Sequence, residues 1–177
     1  MIHKKRHSHR MRPAHRFRLN GCVTELSVPD RIEIKPVAVV SRESADEKER
    51  DRTLISKIVF DKEMTPGLQG IEDFSHIFVI FWLHLVSDSA KTLIHPRKSA
   101  DEPVGIFATR APIHPNPIGL TVVELVRREK NILWVRGLDA IDGTPVLDVK
   151  PYPDWADGRL DIVLDFRIPD WLKKILH

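Results

Sequence analysis

The chain has 177 residues, 42% of them apolar and 30% charged, with a formal net charge of +3 and a single cysteine, Cys22. That length supports one domain with a substantial core. One cysteine excludes an intrachain disulfide and a cysteine-built zinc site, no apolar run nears the ~18 residues of a membrane span, and a reducing, cytoplasmic setting is expected.

The charge is unevenly placed. Lys4, Lys5, Arg6, Arg10, Arg12, Arg16 and Arg18 fall in the first twenty residues with no acid among them, leaving 21 basic against 25 acidic residues elsewhere. Residues 1–30 therefore read as a basic N-terminal tail with a short extended lead-in at 23–29. Such arms meet nucleic acid through its phosphates. Asn20-Gly21 is a turn signal. No apolar stretch follows the basic residues, so a secretory signal is not expected.

Residues 32–40 (IEIKPVAVV) predict a first core strand, with Pro36 at an edge or bulge. Residues 41–52 are a charged run, predicted as a solvated loop or short helix. Residues 53–60 alternate as a strand, and 61–70, with Pro66, Gly67 and Gly70, predict a turn or one 3₁₀ turn. Residues 74–85 are almost continuously apolar, which predicts a strand buried on both faces. His76 and His84 then share a face. Residues 87–103 form a long polar loop. Residues 104–109 predict a short strand with Ile106 and Ala108 on one face and Gly105, Phe107 and Thr109 on the other.

At Arg110 the chain stiffens. Pro112, Pro115 and Pro117 each fix φ near −65° and restrain the residue before them. Gly119 then releases the chain into another apolar run. The result is a rigid loop carrying Arg110, His114 and Asn116. Residues 121–127 and 132–138 predict a hairpin across 128–131. Residues 142–145 predict a tight turn and 146–149 a short strand, followed by an irregular stretch at 150–158. A late strand at 159–166 and a short C-terminal helix at 169–176 complete the chain. Seven or so short strands over residues 31–177 predict an all-β domain, a small antiparallel β-barrel or a sandwich. There is no G-x-G-x-x-G, no P-loop, no H-E-x-x-H, and no ligand spacing for a catalytic metal.

Three strings carry a family resemblance: LQGIEDFSHIFVIFWLH at 68–84, GIFATRAPIHPNPIGL at 105–120 and LDAIDGTPVLDVKPY at 138–152. Over roughly 37–152 the chain resembles the TsaA-like family, to which the tRNA methyltransferase TrmO belongs. The resemblance implies a small β-barrel working as a homodimer, with S-adenosylmethionine bound without a Rossmann fold; no metal is expected from the ligand spacing, and no membrane association from the apolar runs. It implies methyl transfer to N6 of threonylcarbamoyladenosine next to the tRNA anticodon. Cofactor contacts are implied at Leu83, His84, Arg110, Leu120, Arg136, Gly137, Leu138 and Asp139, with substrate contacts expected at His114, Asn116, Lys150 and Tyr152.

The residue chemistry fits these assignments. Arg110 can hold a carboxylate with its planar fork. Asp139 or a barrel aromatic suits a sulfonium, and Leu83, Leu120 and Leu138 suit an apolar wall for adenine. The alternatives are a structural ion pair for Arg110 and a turn cap for Asp139. A base for the N6 proton, Asp139 or His84, is not chosen by the sequence. The Pro-Arg-Gln segment that family members carry after the first strand is absent, its place taken by 41–52. Trp82 and Trp134 are expected as exposed aromatics at the dimer surface. The alternative function is a dimeric module that binds S-adenosylmethionine or tRNA without turnover, and a third is a hydrolase using loop Asp and His.

Overall fold

The structure, a computed structural model, describes residues 29, 31–42, 53–87, 91–95 and 102–152 in full, and 15–19 and 22–26 as backbone. The chain divides into two compact units, Met1–Ile34 and Lys35–His177. In the first, β1 (His15–Leu19) pairs antiparallel with β2 (Cys22–Leu26), and Leu19 stands opposite Cys22. Only Asn20-Gly21 separates the two strands, and this dipeptide is a preferred two-residue hairpin connection. The basic segment is thus a strand pair over part of its length, not a tail throughout.

In the second unit six strands close into an antiparallel barrel. They are β3 (Ala38–Ser41), β4 (Ile55–Phe60), β5 (His76–Trp82), β8 (Ile118–Glu129), β9 (Ile132–Arg136) and β10 (Pro145–Tyr152), in the order β10-β3-β4-β9-β8-β5. A small satellite pair, β6 (Leu93–Ile94) and β7 (Val104–Gly105), lies between β5 and β8 in sequence. The sequence expectation of an all-β barrel holds. The expected late strand and C-terminal helix, 159–166 and 169–176, lie outside the described residues.

The period of two decides which side chains face inward. Val40, Ile58, Phe60, Ile77, Val79, Phe81, Val123, Leu133, Val135 and Val146 fill the barrel, with Leu68, Leu138 and Ala140 completing the core. The apolar run predicts β5 to be buried on both faces. Instead it is buried on one, because Phe78, Ile80 and Trp82 point away from the barrel and remain partly exposed. A continuous apolar run cannot by itself tell a two-sided core strand from a strand with an apolar outer face.

Other differences are local. The first barrel strand begins at Ala38, not Ile32, since Pro36 cannot donate to a ladder. The hairpin turn narrows to Lys130-Asn131, with Lys130 at φ 53° and Glu129 opposite Ile132. Residues Ile106–Ala108 form a 3₁₀ turn rather than the second half of a strand. β10 extends to Tyr152 through a segment expected to be irregular.

Two connections lie at one end of the barrel, 61–75 and the Lys130-Asn131 turn. Arg128 there grips both carboxylate oxygens of Glu72 at 3.1 Å. The Glu72 carboxyl is held below its ordinary 4.5, first by a hydrogen bond from its own backbone amide and then by Arg128. Three connections leave from the other end, with 42 and 53–54, then 83–87, 91–95 and 102–117, then 137–144 as their described residues.

Candidate functional site

Most of the residues expected to bind the cofactor belong to those three connections. Leu83 follows β5 directly; its amide donates to the Pro117 carbonyl at 2.7 Å, which fastens the end of β5 to the proline loop. His84 is exposed in the next turn. It lies beyond the end of β5, so it does not share a strand face with His76.

The proline loop is ordered from inside. Ile106 is buried, and both the amide and the hydroxyl of Thr109 donate to the Ile106 carbonyl, at 3.0 and 2.8 Å. The His114 ring nitrogen Nε2 lies 3.1 Å from the Thr109 carbonyl. Arg110 stands between these fastenings, exposed, and makes no hydrogen bond or ion pair among the described residues. The structural ion pair considered for Arg110 is therefore not seen among them. Asn116 is exposed, and its carbonyl accepts from the Ile118 amide at 2.7 Å.

After β9 the chain runs through Gly137, at φ 96°, a conformation that favours glycine. Leu138 then turns fully into the core. Asp139 accepts a 2.5 Å hydrogen bond from the Thr121 hydroxyl, which ties this segment to the start of β8. Arg136 lies on β9 opposite Glu124 and pairs with it at 2.6 Å. Both partners are close to half exposed, so this pair contributes little to stability.

The single apolar wall expected from Leu83, Leu120 and Leu138 does not form. Leu138 faces the core, Leu83 packs against it half-buried, and Leu120 points outward from β8. Lys150 and Tyr152 also stand apart from the cluster. They lie toward the far end of β10, opposite Phe78 and His76 of β5, with Lys150 bonded to Asp148 at 2.8 Å and Tyr152 edge-on to Phe78. Trp134 is not an exposed aromatic. It is half-buried between Lys57 and Arg127, 4.5 and 3.8 Å from its ring centroid.

Arg42 is a residue that sequence reasoning missed. It opens a charged run expected to be solvated, yet its side chain folds back across the barrel end. Its Nε donates to the buried Ser56 hydroxyl at 3.0 Å, its Nη2 donates to the Leu138 carbonyl, and its amide donates to Asp142 at 2.8 Å. Arg42 thus fixes the segment that presents Asp139. The only sequence signal is its position two residues past the apolar stretch at 32–40. Replacing Arg42 with alanine is expected to cost about 1.5 kcal/mol, since hydrogen bonds from a charged group are lost. Thermal denaturation should show the melting temperature falling by about 5 °C.

Among the described residues no group of three or more His, Cys, Asp and Glu is placed to hold a metal, and no helix is long and apolar enough to cross a membrane. The class this fold and site define is a small closed antiparallel barrel with its candidate ligand groups on the connections of one end. It is not a doubly wound nucleotide-binding sheet. Residues 43–158 match the family described as the tRNA-methyltransferase O N-terminal domain, and the chain belongs to that family. A crystal structure of TrmO from Pseudomonas aeruginosa superposes with a TM-score of 0.61 at 28% identity, covering 81% of this chain and 62% of that one. A probable S-adenosyl-L-methionine-binding protein of Methanothermobacter thermautotrophicus is 44% identical over 132 residues, 72% of this chain and 94% of the relative. Another from Pyrococcus abyssi is 44% identical over 115 residues, 65% of this chain and 59% of the relative. A human tRNA (adenine(37)-N6)-methyltransferase is 42% identical over 87 residues, 49% of this chain and 20% of the relative. The chain thus spans less than two thirds of the Pyrococcus relative and of the TrmO chain.

Proposed function

We propose that this protein binds S-adenosylmethionine at the loop-rich end of its barrel and methylates N6 of threonylcarbamoyladenosine beside the anticodon of tRNA, in the cytoplasm. The observation that carries the reading is Arg110. It is an exposed guanidinium on a braced loop, without a partner among the described residues, at the barrel end that also carries Leu83, His84 and the Gly137–Asp139 segment. The names of the relatives, S-adenosylmethionine-binding proteins and tRNA methyltransferases, support the same chemistry.

The residues present fit such a ligand. Arg110 offers two parallel donors to an amino-acid carboxylate. Leu120 gives an exposed apolar surface beside that end, and the 137–139 segment offers backbone groups and the Asp139 carboxylate. S-adenosylmethionine supplies a methyl group on a sulfonium, which is already a good leaving group. The work left to the chain is alignment of donor and acceptor. His114, Asn116, Lys150 and Tyr152 are the residues assigned to the tRNA side. The first two lie on the proline loop and the last two reach along β10.

The test is transfer of labelled methyl from S-adenosylmethionine to tRNA that carries the threonylcarbamoylated nucleoside, followed by nucleoside analysis. Label in the N6-methylated nucleoside supports the reading. Cofactor binding without any methyl entering tRNA would make the protein a binding module instead.

A homodimer is part of the proposal. Trp82, Ile118, Leu120 and Val122 are 37%, 42%, 46% and 41% exposed on the outer face of β5 and β8. Trp82 stands opposite Ile118, Ile80 opposite Leu120, and Phe78 opposite Val122, so the apolar positions form one contiguous strip. Sedimentation is expected to give twice the 20.4 kDa chain mass; a monomer at micromolar concentration would refute this.

The basic N-terminal residues are assigned to RNA phosphates. Deleting residues 1–20 is expected to weaken tRNA binding and flatten its salt dependence, by about 0.7–0.9 in the log–log slope for each phosphate no longer neutralised. An unchanged slope would remove RNA binding from this segment.

A further inference from the structure

Phe107 is the most exposed large apolar side chain among the described residues, at 81%. Its backbone is nevertheless firmly placed, between buried Ile106 and the Thr109 hydrogen bonds to the Ile106 carbonyl. Its ring is propped by the ring of His114, with centroids 5.8 Å apart and planes at 70°. His114 in turn bonds the Thr109 carbonyl and sits between Pro112 and Pro115. An aromatic ring is thus held in solvent on a scaffold that gains nothing from burying it. Along the chain from Val104 to Val123 there is no acid, and the guanidinium of Arg110 falls within this stretch.

We propose that Phe107, braced by His114, is the stacking platform for an unpaired nucleobase of the RNA substrate. Single-stranded loops are recognised by bases splayed onto aromatic side chains, with cations nearby to meet phosphates. A pre-placed ring gives this contact at low entropic cost. A protein partner fits less well, since the ring stands beside Ala108, Arg110 and a proline loop rather than within the apolar strip of β5 and β8. The inference rests on the tRNA reading above.

The experiment uses the full chain and a short RNA hairpin with an anticodon-type loop carrying 2-aminopurine. Phe107→Leu is expected to weaken hairpin binding about ten- to a hundred-fold and to relieve the 2-aminopurine quenching that stacking causes. Phe107→Trp should retain both. Calorimetry should give the same S-adenosylmethionine affinity for wild type and Phe107→Leu, and circular dichroism the same fold. Equal hairpin binding by Phe107→Leu and wild type would overturn the platform while leaving the tRNA reading intact. An equal fall in cofactor affinity in Phe107→Leu would place the ring on the cofactor's adenine instead. Conversion of Phe107→Leu to a smaller assembly would place the ring at a protein interface and overturn the platform. A wild-type chain that binds no RNA would overturn the platform and the tRNA reading together.

Discussion

Replacing Arg110 with alanine is expected to weaken S-adenosylmethionine binding about ten- to a hundred-fold and to leave the fold unchanged. The size follows from removing a charge-assisted hydrogen bond, roughly 1.5–3 kcal/mol. The fold should survive because Arg110 is exposed and supports no other side chain among the described residues. What holds the loop is Ile106, Thr109 and the prolines, all of which remain. Arg110→Lys should recover only part of the affinity, because an ammonium cannot present two parallel donors. Calorimetric titration of the three proteins decides it. An alanine variant that binds like wild type would move the carboxylate contact elsewhere, to Arg136 first.

Gly119→Ala is expected to destabilise the barrel by about 3 kcal/mol, the upper end of the cost of overpacking a core. Gly119 lies opposite Phe81, and an added Cβ would stand 2.3 Å from two atoms of its ring. Phe81 is buried in the core, so a shift of its ring must displace its packed neighbours. The melting temperature should fall by about 10 °C. A second change, Phe81→Leu, should recover part of the loss in the double variant, since residues in contact do not act additively. A Gly119→Ala protein as stable as wild type would show that the ring can move, and the close packing of β5 on β8 would lose its significance.

Sequence patterning made the barrel legible because alternation marks strands that have one wet face. The strand expected at 53–60 is plain for that reason, and it forms over Ile55–Phe60. β5 departs from its expected two-sided burial because its outer face is apolar too, and periodicity cannot see what covers a face. Residues 106–108 depart from the expected strand because three residues are too few to separate a strand from a 3₁₀ turn. The proline loop was recognisable, since each proline restricts the backbone wherever it stands. The fastening of that loop to Leu83, and the placing of the 137–139 segment at the same end of the barrel, were not, because they depend on strand order. Arg42 was hidden by its neighbours: a charge in a charged run carries no sign that it will reach back to a carbonyl 96 residues away. Leu138 looked available to a ligand because its sequence does not reveal that the chain after Gly137 turns it inward.

The way the barrel closes also bears on how it forms. β8 and β9 are joined by two residues and can zip together within microseconds. The last seam is different: Val146 of β10 meets Ala38 of β3, and Arg42 meets Asp142 across 100 residues of chain. Loop-closure entropy must be met before those contacts return anything, so closure of this seam should limit the folding rate. Until it shuts, β3 and β10 each present an open edge able to pair with another chain. Aggregation during refolding should therefore be controlled by the closing of β3 on β10, although β3, with four residues, contributes the fewest to the finished barrel.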